Sequence, residues 1–200
     1  LFVEANARKS GNTILNKRFR GGFVVLAGAN SPASLAGRPI RIGLGDEIDR
    51  WPDTAGPEGD PVALFSARTT AWWNSKEIYC STPTISGRSR IAALYDDSDQ
   101  SKFFVPCPHC GERFVMLFEH LKYEEGTPIP GSDGRQVRTA IDAWIECPGC
   151  SGQIRDAQRW AAVKAGTWRA TAEFRGNRGF WLWAAYSPFV TALNIANKWL

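Results

Sequence analysis

The 200-residue sequence has no long apolar run. A membrane-spanning helix needs about 20 mainly apolar residues, so we do not expect a membrane protein. The chain begins at Leu1, without Met, and no charged-then-apolar signal peptide follows, so we expect it to be a piece of a longer protein. With 44% hydrophobic and 22% charged residues, the composition is that of a globular protein rather than a disordered one.

Acidic side chains are scarce at both ends of the sequence. From residue 157 to 200 the only acid is Glu173, against six Lys and Arg. Residues 5–45 contain no Asp or Glu, but they contain Arg8, Lys9, Lys17, Arg18, Arg20, Arg38 and Arg41. Basic ends around an acidic middle suit a protein that contacts a polyanion such as nucleic acid. A solvated surface explains the charge pattern equally well.

The sequence has only five cysteines, and their odd number and paired spacing argue against a disulfide framework. Four of them form two C-x-x-C pairs, Cys107–Cys110 and Cys147–Cys150, separated by 36 residues. Each pair can aim two thiolates at one point, so the pattern predicts a closed, structural zinc site with four cysteine ligands, in a reducing compartment. Within the first pair we expect His109 to be exposed or to support the ligands rather than to bind the metal. The fifth cysteine, Cys80, is predicted to be a buried structural thiol.

Strands and helices alternate in the first half of the chain. Proline follows a capping side chain at Ser31 and again at Asp60, a helix-start signal. This alternation predicts an α/β fold with a mainly parallel sheet. The expected strands are 22–28, 39–45 and 76–80, and the expected helical segments are 34–37, 61–73 and 89–95.

Two polar motifs follow successive predicted strands: Asp46-Glu47, and Ser81-Thr82-Pro83-Thr84. In parallel sheets ligands bind beyond the carboxyl ends of the strands. In P-loop nucleoside triphosphatases, an acid there holds Mg²⁺ through water and a following Glu polarises the attacking water. Hydroxyl groups on the neighbouring strand can contact the γ-phosphate and relay its hydrolysis. Each motif alone is more simply an exposed acid pair or an ordinary turn, but together they indicate a nucleotide site.

Other side chains leave alternatives open. Arg50, Arg68, Arg88 and Arg90 could each reach a γ-phosphate, although a surface role is simpler for each. The aromatic residues near the end of the chain could stack on nucleic-acid bases, but their apolar neighbours favour a core. These are Trp160, Trp168, Trp181, Trp183 and Tyr186. A helix is predicted over residues 191–200.

Several short motifs, in this order, resemble the large terminase subunit of tailed bacteriophages, and most closely the type found in lambda-like phages. The resemblance covers roughly residues 10–200. The motifs are Gly45-Asp-Glu-Ile-Asp-Arg-Trp-Pro52, Glu58-Gly-Asp-Pro61, Arg68-Thr69, Ser81-Thr-Pro-Thr84, Ser89-Arg90-Ile91, Cys107-Pro-His-Cys-Gly-Glu112, Cys147-Pro-Gly-Cys150, Gly166-Thr-Trp168 and Tyr186-Ser-Pro-Phe189.

The resemblance implies part of a P-loop (RecA/ASCE-like) ATPase sheet with an inserted zinc ribbon. It divides the chain into an ATPase part (1–102), the ribbon (103–156) and a Trp-rich segment returning to the ATPase domain (157–200). Asp46 would bind magnesium, Glu47 would be the catalytic glutamate, and Ser81, Thr82 and Thr84 would couple hydrolysis to movement. No Gly-x-x-x-x-Gly-Lys-Ser/Thr loop occurs in this sequence. In the family that loop lies upstream and a nuclease domain lies downstream, so we expect this piece to be inactive alone.

The family uses ATP hydrolysis to package viral DNA into procapsids. The resemblance therefore implies ATP, magnesium and zinc as cofactors. It implies double-stranded DNA, the small terminase subunit and the procapsid portal as partners, and an oligomeric motor in the bacterial host cytoplasm. Two other interpretations stay open at this point: another zinc-ribbon-containing translocase or helicase, and a non-enzymatic zinc-binding interaction module.

Overall fold

The computed structural model describes residues 13–130 and 135–200. It divides into two compact units, one extending to Ala92 and the other from Ala93 to Leu200. Among the described residues, no helix combines the length and apolar character required to cross a bilayer. The boundaries expected at residues 102 and 156, between the ATPase part, the ribbon and the Trp-rich segment, stay a prediction.

The first unit contains short strands and short helices. Its elements are β1 (Asn16–Phe19), β2 (Gly22–Val25), α1 (Pro32–Ala36), β3 (Ile42–Asp46), α2 (Pro61–Ser66), β4 (Lys76–Cys80) and α3 (Arg90–Asp96), the last of which crosses into the second unit. Both expected helix caps form. The Ser31 hydroxyl accepts from the Ser34 amide at 3.3 Å, and the Asp60 carboxylate accepts from the Val62 and Ala63 amides.

Strands β3 and β4 pair in parallel, with Ile42 opposite Lys76 and Asp46 opposite Cys80. This confirms the predicted parallel arrangement of these two strands. Glycine at position 43 permits a close approach, because a Cβ atom there would lie 2.6 Å from the Phe65 ring. That ring, from α2, also meets Trp51 and Tyr79 edge-on. The helix therefore covers one face of the strand pair.

Two elements of the first unit differ from the predictions. The run 22–28 was expected to be a buried strand, but β2 is exposed throughout and pairs with β1 in an antiparallel hairpin. A short apolar run does not distinguish these cases, and Arg20-Gly21 allows an immediate turn. Helix α2 ends at Ser66, not near residue 73. The Thr69 and Thr70 hydroxyls donate to backbone carbonyls there, which competes with helix continuation.

The second unit is richer in β-structure. Its elements are β5 (Ser101–Pro106), β6 (Arg113–Val115), β7 (Leu121–Glu125), β8 (Ile129–Pro130), β9 (Gln136–Val137), β10 (Ala140–Glu146), β11 (Gln153–Ile154), α4 (Asp156–Lys164), β12 (Thr167–Arg169), β13 (Phe180–Trp181) and α5 (Ala192–Trp199). Within the described residues only β3–β4 and β5–β13 pair in parallel. The fold is therefore mixed α/β, and the expectation of a mainly parallel sheet is wrong for this chain.

One buried cluster joins the strands of the second unit to the C-terminal segment. It includes Val105, Ile145, Ile154, Ala185 and Ala196, and Tyr186 lies in it. Trp181 and Trp183 pack against this cluster, which confirms the core assignment for them. Trp168 is 39% exposed, although its ring contacts Phe103. The predicted C-terminal helix forms as α5.

Candidate functional site

The carboxyl ends of β3 and β4 bring the two predicted polar motifs side by side. Asp46, the last residue of β3, is the register partner of Cys80, and Ser81 follows directly. The Ser81 hydroxyl accepts from the amide of Asp49 at 3.2 Å. The placement predicted from the sequence is therefore confirmed: the acid pair and the hydroxyl motif meet at one edge of a parallel strand pair.

Glu47 leaves β3 in a left-handed backbone conformation, with φ of 51°. Its carboxylate accepts from Arg50 Nε at 3.1 Å, and both side chains are exposed. Trp51 Nε1 donates to the carbonyl of Asp46 at 2.9 Å, which closes the turn. The adjacent acids Asp46 and Glu47 thus occupy different backbone environments.

Asp49 links the two motifs, a role that sequence reasoning missed. Its Oδ2 accepts from the amide and the hydroxyl of Thr84, at 3.0 and 3.2 Å. Its Oδ1 accepts from the amide of Ile91 at 2.8 Å. Burial raises the pKa of Asp49, but hydrogen bonds from Ser89, Ile91 and Thr84 outweigh burial and hold the pKa below its ordinary value. Thr82 is exposed.

The candidate arginines divide into different roles. Arg90 Nη1 and Nη2 donate to the carbonyls of Trp51 and Pro52, each at 2.9 Å, and Arg90 also pairs with Asp60. It therefore fixes the loop after β3. Arg68 lines an apolar cavity of about 340 Å³ that is formed by residues of the hairpin, α1 and α2. Arg50 is the only one of the four that the described structure pairs with a predicted site residue.

Cys80 is exposed, so the prediction of a buried thiol is wrong. It lies on the β3–β4 face that carries Ile42, Leu44 and Ile78, all exposed. Its Sγ lies 3.2 Å from Asp46 Oδ1. The hydrogen bond to Asp46, followed by burial, raises the pKa of this thiol.

Four cysteines of the second unit converge on one point. The Sγ atoms of Cys107, Cys110, Cys147 and Cys150 lie within 4.8 Å of one another. Cys107 faces Cys150 and Cys110 faces Cys147, each pair at 3.8 Å. Four sulfur donors in a tight cluster match the donor set of a structural zinc site.

The two C-x-x-C turns share one backbone design. The amide of Gly111 bonds the carbonyl of Cys107, and the amide of Ser151 bonds the carbonyl of Cys147, each at 2.9 Å. The residue that follows the second cysteine of each turn has a positive φ, 77° at Gly111 and 56° at Ser151. This conformation closes each turn and directs both thiols to the same side.

His109 lies outside the sulfur cluster, as expected. Its Nε2 is 2.9 Å from the carbonyl of Gln153, so the ring connects the first cysteine turn to the strand after the second. Its backbone amide donates to Cys107 Sγ at 3.4 Å. At Cys107 burial raises the pKa, but hydrogen bonds from the Cys110 and His109 amides outweigh it and lower the pKa to about 7. Burial raises the pKa of Cys147 to about 12.

The chain is similar in sequence to known phage proteins. The family model of the ATPase domain of the phage terminase large subunit gpA matches residues 1–168. A terminase large subunit of Enterobacteria phage P21 is 29% identical over 94% of this chain. Another, of Escherichia phage lambda, is 26% identical over 94% of it. The chain spans about a third (32%) of the length of these relatives, and no solved structure matches it.

The family model covers most of the chain, including both strand-end motifs and all four clustered cysteines. The chain therefore belongs to the phage terminase large subunit gpA family, within its ATPase domain.

Proposed function

We propose that this chain is part of the ATP-driven DNA-packaging motor of a tailed phage or prophage. The observation that carries the proposal is the parallel pairing of β3 and β4, which puts Asp46 and Glu47 beside Ser81. In α/β sheets ligands bind beyond the carboxyl ends of the strands, and nucleotide hydrolysis uses an acid that holds Mg²⁺ and a side chain that positions water. Family membership supports the same conclusion.

In this proposal Asp46 and Glu47 have different roles in hydrolysis. Asp46 would hold Mg²⁺ through water, and Mg²⁺ would neutralise charge on the β- and γ-phosphates. Glu47 would orient and polarise the water whose oxygen attacks the γ-phosphorus as the bond to the ADP oxygen breaks. Glu47 would first leave its pair with Arg50, which costs little because exposed ion pairs contribute at most about 1 kcal/mol.

The proposed coupling motif consists of Ser81, Thr82 and Thr84. Thr84 is held by the Asp49 carboxylate, and Asp49 is only two residues from Glu47. A displacement of residues 81–84 on phosphate release would therefore pull on the turn that carries the catalytic glutamate. This connection would transmit hydrolysis to the rest of the motor.

The cysteine cluster is proposed to hold one structural zinc ion per chain. All four positions of a tetrahedral ion would be occupied by sulfur, which leaves none open for catalysis. We propose a zinc ribbon over residues 103–156. When bound, the metal supplies a cross-link between the two turns and stabilises all four thiolates together.

Hydrolysis is proposed for the full-length protein, because residues 1–200 include no phosphate-binding Gly-x-x-x-x-Gly-Lys-Ser/Thr loop. We expect the piece alone to be inactive and the nuclease to be a separate domain. The proposed partners are double-stranded DNA, the small terminase subunit and the procapsid portal, in an oligomeric motor in the host cytoplasm. The basic residues of 5–45 are proposed to contact DNA phosphates or the preceding ATPase segment; Arg8 and Lys9 lie outside the described residues.

A single substitution tests the catalytic assignment. In the full-length protein, Glu47→Gln should reduce ATP hydrolysis by roughly 100-fold or more and spare ATP binding, because the amide keeps the shape but polarises water poorly. Turnover and nucleotide affinity are measured separately. Glu58→Gln, an exposed Glu in the same unit, is the matched control and should turn over normally. Normal turnover by Glu47→Gln would contradict the assignment of Glu47 as the catalytic glutamate.

A further inference from the structure

One face of the sheet around β5 carries positive charge without any compensating acid. Strands β5, β6, β12 and β13 contain Lys102, Arg113 and Arg169 and no Asp or Glu. Within the described part of the chain, none of these three cations forms an ion pair with a carboxylate. The charge is therefore available to an anion from outside.

The register places these cations together. Lys102 is the direct partner of Arg169 across the antiparallel β5–β12 pair. Ser101 and Val105 of β5 are buried, so Lys102 and Phe104 alternate onto the opposite face. On the other edge of β5, Arg113 extends across the strand, and its Nη1 lies 3.3 Å from the Thr167 hydroxyl on β12. The three side chains thus share one face of the sheet.

This arrangement costs the isolated protein stability. Like charges that face each other across an antiparallel pair repel. The Arg169 guanidinium lies over the Phe104 ring, 5.2 Å from its centre, which orients the cation without neutralising it. A bound anion would offset this repulsion. The Lys102–Arg169 pair is therefore better suited to binding a polyanion than to stabilising the free protein.

We infer that this face, defined by Lys102, Phe104, Arg113 and Arg169, binds the phosphate backbone of duplex DNA. The inference rests on the proposed packaging function for the identity of the polyanion. Three cations on one sheet face can contact backbone phosphates without reading base edges, which suits movement along any sequence. The surface belongs to the second unit and is separate in sequence from the strand-end motifs of the first.

The test measures duplex affinity of the full-length protein against salt concentration, without nucleotide. Each phosphate contact contributes about 0.9 to the slope of log affinity against log salt. The double variant Lys102→Gln, Arg169→Gln should therefore lower the magnitude of the slope by about 2, and each single variant by about 1. Lys122→Gln, an exposed lysine on β7, is the matched control and should leave the slope unchanged.

A second readout separates lost binding from lost folding. Because each substitution removes a like-charge contact, the melting temperature of Lys102→Gln at low salt should equal or exceed that of the wild-type protein. A lower slope together with unimpaired stability supports the inference. A wild-type slope in both single variants overturns it, whatever else this face binds. Absence of duplex binding by the wild-type protein would overturn the proposed packaging function as well, so the two failures are distinguishable.

Discussion

At the scale of single residues, a buried charge fixes the C-terminal segment of the second unit. Arg159 of α4 is completely buried. Its guanidinium bonds the Asp156 carboxylate and the carbonyls of Ala185 and Val190, and so ties the C-terminal segment to α4. A charge in the core is tolerated only when its donors are satisfied, as they are here.

Removing this guanidinium should be strongly destabilising. Arg159→Met is expected to lower the free energy of unfolding by about 3 kcal/mol, because several carbonyls and Asp156 lose their buried partner. Urea unfolding followed by tryptophan fluorescence measures the change. Arg178→Met, at an exposed arginine, is the control and should differ from wild type by less than about 0.5 kcal/mol. Equal effects of the two substitutions would contradict the structural role of Arg159.

Asp49 makes the first unit sensitive to acid. Its pKa is lower in the folded state than in the unfolded state, so its contribution to stability is present above its ordinary pKa of roughly 4 and is lost as the pH falls through the lowered value. Asp49→Asn should therefore lose stability at neutral pH and show a weaker decline of stability in acid than wild type does. Unfolding measured from neutral to acid pH checks this, with Asp97→Asn, an exposed carboxylate, as the control. A decline as steep as that of wild type would exclude Asp49 as a source of the acid sensitivity.

At the scale of elements, short sequence motifs predicted the local structure correctly where the motif has a specific chemical role, such as a helix cap or a metal-binding turn. The helix caps at Ser31 and Asp60, the strand at 76–80 and the two cysteine turns were all predicted from short motifs. The hairpin and the shortened α2 were not. Their form depends on which neighbours cover a short apolar run and on threonine hydroxyls that compete for backbone carbonyls.

The cysteine turns should depend on their metal. We expect one zinc per chain in protein purified without chelator, and Cys107→Ser should lose it. Hydrogen exchange should then accelerate in residues 103–156 more than in 42–80, because the metal would cross-link the two cysteine turns of the ribbon and has no ligand in 42–80. Cys80→Ser, outside the cluster, is the control and should retain zinc. A folded, zinc-free wild-type protein with four reactive thiols would contradict the assignment.

At the scale of the whole molecule, the sequence predicted which residues meet at the strand ends better than it predicted the fold. Asp46, Glu47, Ser81 and Thr84 could be placed because parallel strands end at the same edge. Asp49 and Arg90 could not, since their partners are 35 or more residues away and are apparent only once the loops after β3 and β4 have met. The buried network of Arg159 escaped detection for the same reason.

We propose that the neighbouring carboxyl ends of β3 and β4 form the nucleotide site. Hydrogen exchange of the full-length Glu47→Gln protein, with and without ATP and Mg²⁺, tests it most directly, since the bound state persists when hydrolysis is blocked. We expect slower exchange on ATP binding in both 46–51 and 81–84, and loss of that protection when Asp46→Ala is added. Tight ATP binding that protects neither segment would contradict it.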